Sequence, residues 1–287
     1  MGTILRQKFT KRTIGAITVV VLLALGFGSW AFLVEPNRLV LHQETLVLDN
    51  WPQRLDGLRV AVISDIHAGS SFIDAAKLQQ IVVTTNQLNP DLIVILGDFM
   101  VTGRVLKHQV DPETIAAALK GLHARLGVYA VLGNHDWWFD GQRVWRALEQ
   151  VGIRVLENDV SQIQCNGSAF WLWGLSDLYT RPQNIAGTFQ RVPANEPLIA
   201  MTHSPDVFPD IPARVALTLA AHTHGGQVNF PVVGRLIVPS RFGQKYAAGH
   251  IQEAGKQLFV TTGIGTSIIP VRFRVPPEIV LLTLKAR

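Results

Sequence analysis

The chain has 287 residues, 48% of them apolar and 16% charged, with a formal net charge of +5 and a single cysteine. That length and apolar content exclude a long disordered chain and leave room for one large packed domain or two small ones, while the lone Cys165 excludes an intramolecular disulfide and a cysteine-rich zinc site. The positive charge does not mark a nucleic-acid binder, because Arg6, Lys8, Lys11 and Arg12 precede the first acid, Glu35, and the remainder is near neutral.

Residues 1–12 form a basic flank. Thr13 to Val34 follows as an uncharged apolar run with no polar face. At about 1.5 Å per residue it is long enough to cross a bilayer as a helix. The positive charges before it place the N-terminus in the cytoplasm and the rest of the chain outside. A cleaved signal peptide is the competing reading, since Ser29-Trp30-Ala31 resembles a small-x-small cleavage site. The run is long for a signal core, however, and Lys11-Arg12 only approaches a twin-arginine signal. An uncleaved anchor over 13–34 is therefore expected.

Residues 35–54 are expected to be a linker with a short extended segment, Leu39 to Leu48, broken at Asn50-Trp51-Pro52. From residue 55 onward apolar β-rich runs alternate with helical stretches, which predicts a layered α/β domain over 55–287. The first strand is Leu58 to Ser64. A helix capped by Asp74 follows, with Leu78, Ile81, Val82 and Leu88 on one face. Next come a strand at Leu92 to Leu96, a helix opened by Asp111-Pro112, a strand at Gly127 to Leu132, and a helix near Gln142 to Gln150. The second half is richer in strands: Phe170 to Leu175, Leu198 to Thr202, Ala216 to Ala220, Leu258 to Thr262 and Ile279 to Leu284. Phe230 to Gly249 reads as a long ordered loop, and Arg272-Phe273-Arg274 as an edge strand.

Five of these strands end in polar clusters. They are Asp65-Ile66-His67, Gly97-Asp98, Gly133-Asn134-His135-Asp136, His203 and His222-Thr223-His224. Ligands bind at the carboxyl ends of strands in α/β sheets, so the clusters are expected on one edge. Carboxylate, imidazole and amide oxygen suit hard-to-borderline divalent cations. In extended backbone the i,i+2 spacing turns both members of Asp65-x-His67, and of His222-x-His224, to one side. A lone Asp after a strand is usually a turn former; five clusters in order, holding five of nine histidines, are not explained that way.

This series resembles the calcineurin-like metallophosphoesterases over about residues 55–287. It is most similar to their membrane-anchored or exported bacterial members, which share His222-Thr223-His224-Gly225-Gly226-Gln227 and a tail like Gly263-Ile264-Gly265-Thr266-Ser267 with Pro276-Pro277-Glu278. The resemblance implies a four-layer α/β/β/α sandwich of two mixed sheets. It implies that Asp65, His67 and His224 bind one divalent cation, that Asn134, His203 and His222 bind a second, and that Asp98 bridges them. The metals implied are Mn, Fe or Zn. A hydroxide bridging them would attack phosphorus, with His135 as general acid or as stabiliser of the leaving oxygen, and Asp136 orienting His135 or standing behind the ligands. Ala221 departs from the pattern, since the family usually has Gly there, and its methyl group is expected to crowd the turn.

Trp137 and Trp138 are expected either to wall the substrate or to pack under the next helix. Arg104, Arg181 and Arg241 are loop candidates for phosphate oxygens. The expected activity is hydrolysis of phosphodiester or pyrophosphate bonds at a bacterial inner membrane, single-pass, with the domain extracytoplasmic. The substrate is expected to be a phosphoester, lipid-linked or nucleotide-containing, and not a nucleic acid. Two readings compete: a UDP-2,3-diacylglucosamine-type pyrophosphohydrolase of lipid A synthesis, and a catalytically silent metal-binding membrane module.

Overall fold

Short runs of Val, Ile and Leu become buried strands, and their alternating side chains decide what lies on each face. The computed structural model describes residues 2–103 and 107–287, with side chains of the first helix from Thr13 onward. In the first sheet β1 (Val40–Leu48) and β12 (Glu278–Ala286) lie beside β2 (Leu58–Ile63), β3 (Leu92–Ile95), β4 (Val128–Ala130) and β5 (Ile153–Val155), in the order β1-β12-β2-β3-β4-β5. Strands β2 to β5 are mutually parallel, and β12 runs against β2. The second sheet takes the order β10-β11-β9-β8-β7-β6. Its members are β6 (Asp159–Cys165), β7 (Ser168–Gly174), β8 (Leu198–Met201), β9 (Leu217–Ala220), β10 (Gly249–Glu253) and β11 (Lys256–Val260). Here β7, β8, β9 and β11 are parallel, flanked by antiparallel β6 and β10.

The alternation is legible residue by residue. Val60, Val62, Val94, Val280 and Leu282 of the first sheet face Phe170, Leu172, Ile199, Met201, Leu219 and Phe259 of the second. The alternate residues Ala61, Ile63, Ile93 and Ile95 turn to the other side. There they meet α2 (Ala75–Gln87), α3 (Pro112–Leu119) and α4 (Asn134–Gln150). The outer face of the second sheet is covered more thinly, by α5 (Ile185–Phe189) and a 3₁₀ turn at Pro205–Asp210. These are the four layers expected.

Several boundaries differ from the expectation. The extended segment expected at Leu39 to Leu48 is β1, and it is joined to the sheet: it pairs parallel with β12 over its whole length and buries Leu46 and Leu48. Trp51 and Leu55 are also buried, so the domain takes in residues ahead of 55. The strands β5, β6 and β10 were not anticipated. Helix α4 is broken at the non-helical Asp140: its second part, up to Gln150, is the helix expected near Gln142, and a further helical part from Asn134 precedes it. Residues 230–248 form the expected loop, irregular apart from a Phe230–Gly234 bridge and a 3₁₀ turn at Gly243–Tyr246. The Arg272-Phe273-Arg274 segment is no edge strand, because Arg272 is fully buried.

Helix α1 (Gly2–Ser29) runs on through a π turn, Trp30–Val34. The stretch Thr13–Asn37 is long and apolar enough to cross a membrane and is almost wholly exposed, unlike a core helix of a soluble protein. Its end is fastened to the domain at three points, and Trp30 and Glu35 are also bonded to each other within it. Arg272 N donates to Ala31 O (3.0 Å), and Val275 N donates to the buried Glu35 Oε1 (2.9 Å). Trp30 Nε1 donates to Glu35 Oε2 (2.6 Å), and the Phe27 and Phe273 rings meet edge-on at 4.7 Å.

Candidate metal centre

Strands β2, β3 and β4 of one sheet and β8 and β9 of the other carry the five clusters at their carboxyl ends. All seven expected ligands lie together there, along the line where the two sheets meet. They do not converge through extended backbone, as expected. Asp65, His67, Asp98, His222 and His224 all have positive φ, between 50° and 70°. Such conformations cost non-glycine residues free energy and persist where the surroundings impose them, often at functional sites. The kinks also divide the pair His222-x-His224: His224 joins Asp65 and His67, while His222 joins Asp98 and His203.

The donor atoms fit two cations. His67 Nδ1 donates to Met100 O (2.9 Å) and His203 Nδ1 to Leu96 O (2.7 Å), which leaves Nε2 of each ring facing inward. His67 Nε2 stands 3.2 Å from His224 Nε2, and His203 Nε2 stands 3.1 Å from His222 Nδ1. Asp98 Oδ2 lies between the groups, 3.6 Å from His67 Nε2 and 3.2 Å from His203 Nε2. His224 Nε2 is 3.5 Å from Asp65 Oδ1. Ligands about 2.0–2.2 Å from one cation stand about 3.0–3.6 Å from each other, so these gaps are of the size a cation spans. Asp65 Oδ1 and Asn134 Oδ1 are buried without a hydrogen-bond partner, as acceptors reserved for a cation are. Among the described residues, three overlapping groups could thus hold a cation: Asp65-His67-His224, Asp98-His203-His222, and His67-Asp98-His135, which links the other two through His67 and Asp98.

The electrostatics favour the same occupancy. Burial pushes the Asp65 carboxyl up to about 7, a cost that a neighbouring cation offsets. Burial also pushes His67 and His222 down to about 3, so both rings are neutral near pH 7. Asp98 is held well below the usual carboxylate range: burial opposes this, but the charge of His203 and its hydrogen bond prevail. Burial lowers His203 too, yet Asp98 raises it to about 10. A proton and a cation therefore compete for His203 Nε2.

The shell behind the ligands is also defined. Asp136 does not orient His135. Its Oδ2 accepts from Asp98 N and Gly133 N and its Oδ1 from Met100 N, all at 2.9 Å, which ties the β3 and β4 loops together. His135 N donates to Asp98 Oδ1 (2.9 Å). The partner of His135 is Thr102, whose N–H donates to Nδ1 (3.2 Å) with Oγ1 at 2.7 Å. Thr102 carries no signal in the sequence beyond its nearness to Asp98.

The shared tail acquires a physical meaning. Gly263 has φ 66°, and a Cβ there would stand 2.6 Å from Asp65 Cβ, so the tail presses on the Asp65 loop. Gln227 pins residues 267–271 by accepting from Ser267 N (2.6 Å) and donating to Ile269 O and Val271 O (3.0 and 3.1 Å). Glu278 accepts from Thr261 Oγ1 and Thr262 N. The guanidinium of Arg272 donates to the carbonyls of Thr262, Gly263, Gly265 and Val275 and comes within 3.5 Å of His224 Nδ1. Reading Arg272 as an exposed strand residue missed this.

Ala221 does not crowd the turn. The positive φ falls on His222, and the Ala221 methyl packs in the core between the sheets. Trp137 and Trp138 divide the two readings offered for them. Trp137 packs against the core under Arg181, whose guanidinium lies 4.5 Å above its ring, and Trp138 is exposed beside His135. Arg241 is engaged with Asp206 O (2.6 Å), and Arg104 lies outside the described residues.

Comparison with known proteins agrees with the geometry. The family described as calcineurin-like phosphoesterase matches residues 58–226. An uncharacterized metallophosphoesterase of Bacillus subtilis is 30% identical, over 98% of this chain and 98% of its own. A phosphodiesterase of Escherichia coli is 27% identical, over 97% and 98%. A UDP-2,3-diacylglucosamine pyrophosphatase of Chlamydia trachomatis is 27% identical, over 88% and 91%.

Proposed function

The chain belongs to the calcineurin-like phosphoesterase family, and on that premise we propose that it hydrolyses phosphodiester or pyrophosphate bonds with two divalent cations, at a membrane in which α1 anchors it. The observation that carries this reading is Asp98 Oδ2 standing 3.6 Å from His67 Nε2 and 3.2 Å from His203 Nε2, between the Asp65 and His222 groups, with Asp65 Oδ1 and Asn134 Oδ1 buried and unpartnered beside them. Asp65, His67, His224 and Asp98 hold one cation, and Asp98, Asn134, His203 and His222 hold the other. When bound, the cations acidify water as the nucleophile and neutralise charge on the phosphate oxygens.

The chain's own groups do the rest. His135 lines the cleft beside the ligands. The Thr102 N–H points at its Nδ1, so the ring's proton sits on Nε2. Burial lowers its pKa and so favours the neutral ring, whose Nε2–H can hydrogen-bond the charge developing on a leaving oxygen. Asp136 fixes the backbone on both sides of the His135 N to Asp98 Oδ1 bond and is a positioning residue. The homologues named phosphodiesterase and pyrophosphatase support both bond types. The positive flank favours an extracytoplasmic domain, and Mn, Fe and Zn all suit the ligand set.

The test is a panel of aryl phosphodiester, pyrophosphate diester and phosphomonoester substrates. Metal-stripped full-length protein is reloaded with Mn²⁺, Zn²⁺ or Fe²⁺. Turnover of a diester or pyrophosphate that returns with metal supports the proposal. Metal binding that raises thermal stability with no turnover on any member rejects it in favour of a silent module.

A further inference from the structure

The metal centre opens into a cleft of about 680 Å³, within the range of small-molecule sites. Its floor is polar, with Asp98, Asn134, His135 and the His222–His224 loop. Its walls are not. Phe27 and Phe32 come from α1 and the π turn after it, and Trp138, Ile237, Ile269 and Phe273 from the domain. A site for a small polar phosphoester has no use for such walls.

The rim continues the same chemistry outward. Val232 is fully exposed, Leu236 and Ile237 are 66% and 73% exposed, and Ile268 is 65% exposed. Across residues 230–239 the one charged side chain, Arg235, turns inward and donates to Gly225 O (2.8 Å). Residues 266–271 carry no charge. Val232 and Ile268 are β-branched and have φ of 70° and 65°. Both loops thus hold an apolar side chain outward in a conformation that β-branched residues avoid. Contiguous exposed apolar surface of this kind marks a partner. What covers it is indicated by continuity: the Phe27–Phe273 contact and the Arg272 N to Ala31 O bond join this rim to the end of the apolar helix.

We propose that the loops at 230–239 and 267–271 seat in the bilayer beside the end of α1. The cleft then opens into lipid, and the site takes an amphiphilic phosphoester from the leaflet, its chain along the apolar walls and its phosphate at the metal ligands. This rests on the reading of α1 as an anchor and of the site as a phosphoesterase. The experiment is arranged to separate the three.

Full-length protein with Cys165→Ala carries one bimane label in lipid nanodiscs, at Leu22→Cys, Ile237→Cys, Ile268→Cys or Gln164→Cys. Leu22 is mid-helix, and Gln164 lies on β6 at the far edge of the second sheet. Lipids bear a nitroxide either near the headgroup or near the chain end. Ile237 and Ile268 labels are expected to lose roughly half their fluorescence or more to the shallow nitroxide, as groups buried about 5–10 Å into the interface do. Leu22 responds to the deep one and Gln164 to neither. Quenching at Leu22 with none at Ile237 and Ile268 overturns the proposal and leaves the anchor standing. No quenching at Leu22 overturns both. Quenching at Ile237 that follows the number of protein copies per disc, and not the nitroxide lipid, assigns the rim to a second copy and overturns the proposal.

A second arm reads the cleft. Aryl alkyl phosphodiesters of increasing chain length share one reaction, so differences in kcat/KM report the chain alone. The wild type is expected to gain with each methylene, up to about fourfold, and Ile237→Asp and Ile269→Asp are expected to flatten the series. A flat series in the wild type, or an unchanged slope in both variants, overturns the chain-binding part. If no member is hydrolysed, the phosphoesterase reading and the chain-binding part fail together, and the quenching arm decides the rim.

Discussion

Replacing Gly97 with alanine tests the claim that backbone contact between two loops sets the ligand geometry. Gly97 precedes Asp98 and has φ 91°. A Cβ there would stand 2.5 Å from Gly133 N and 2.8 Å from Leu132 C, which are backbone atoms and cannot swing aside. Restoring ordinary contact requires the loops to part by about 1 Å. That separates Asp98 from Asn134, on opposite sides of the contact. Alanine at positive φ costs about 1 kcal/mol, and forced overpacking about 1–3 kcal/mol more, so the expected loss is about 2–4 kcal/mol. A misplacement of about 1 Å in the site costs about 10²-fold in turnover. Gly152→Ala is the control, because Gly152 has φ 87° and nothing near its absent Cβ; it should lose only the first part. Urea denaturation gives the stabilities, and elemental analysis with diester kinetics gives the site. Gly97→Ala with the stability of Gly152→Ala, wild-type turnover and full metal content would refute the reasoning.

Three further outcomes are expected. His135→Ala keeps both cations and loses about 10²–10⁴-fold in kcat; a comparable loss of metal would move His135 among the ligands. Arg272→Met leaves the carbonyls of residues 262–265 without their donor and costs about 3 kcal/mol or more, read by thermal unfolding. Glu157 accepts from Leu132 N, and burial pushes its carboxyl up to about 8. The folded chain keeps that proton after the unfolded chain has lost it, so stability falls as pH rises from the usual carboxylate range to about 8. Glu157→Gln should remove that fall, gaining on the wild type by on the order of 1–3 kcal/mol between the two ends of the window.

The sequence made some of this legible and hid the rest for physical reasons. Strands β2, β3, β4, β8 and β9 are buried on both faces, so they read as unbroken apolar runs, and the polar residues that end them stand out. The short β5 and the alternating β6 lack that contrast. The pairing of β1 with β12 joins residues 238 apart in the chain, Val40 with Glu278 and His42 with Val280, and no local pattern reveals it. Arg272 alternates with apolar neighbours as an edge residue does; its burial depends on carbonyls that only the fold assembles. The i,i+2 spacing at Asp65 and His67 pointed to residues that the fold does bring together, but by the wrong geometry, because positive φ leaves no trace in composition when the residue is not glycine. Thr102 was invisible because its contact with His135 joins two loops.

The central claim is that Asp98 holds two cations that do the chemistry. Its most direct measurement is the number of divalent cations per chain in full-length protein, wild type and Asp98→Ala, with diester turnover on the same samples. Two cations per wild-type chain, with at least one lost together with turnover in Asp98→Ala, is the predicted result. Full turnover by metal-free protein, or two retained cations and undiminished turnover in Asp98→Ala, would contradict it.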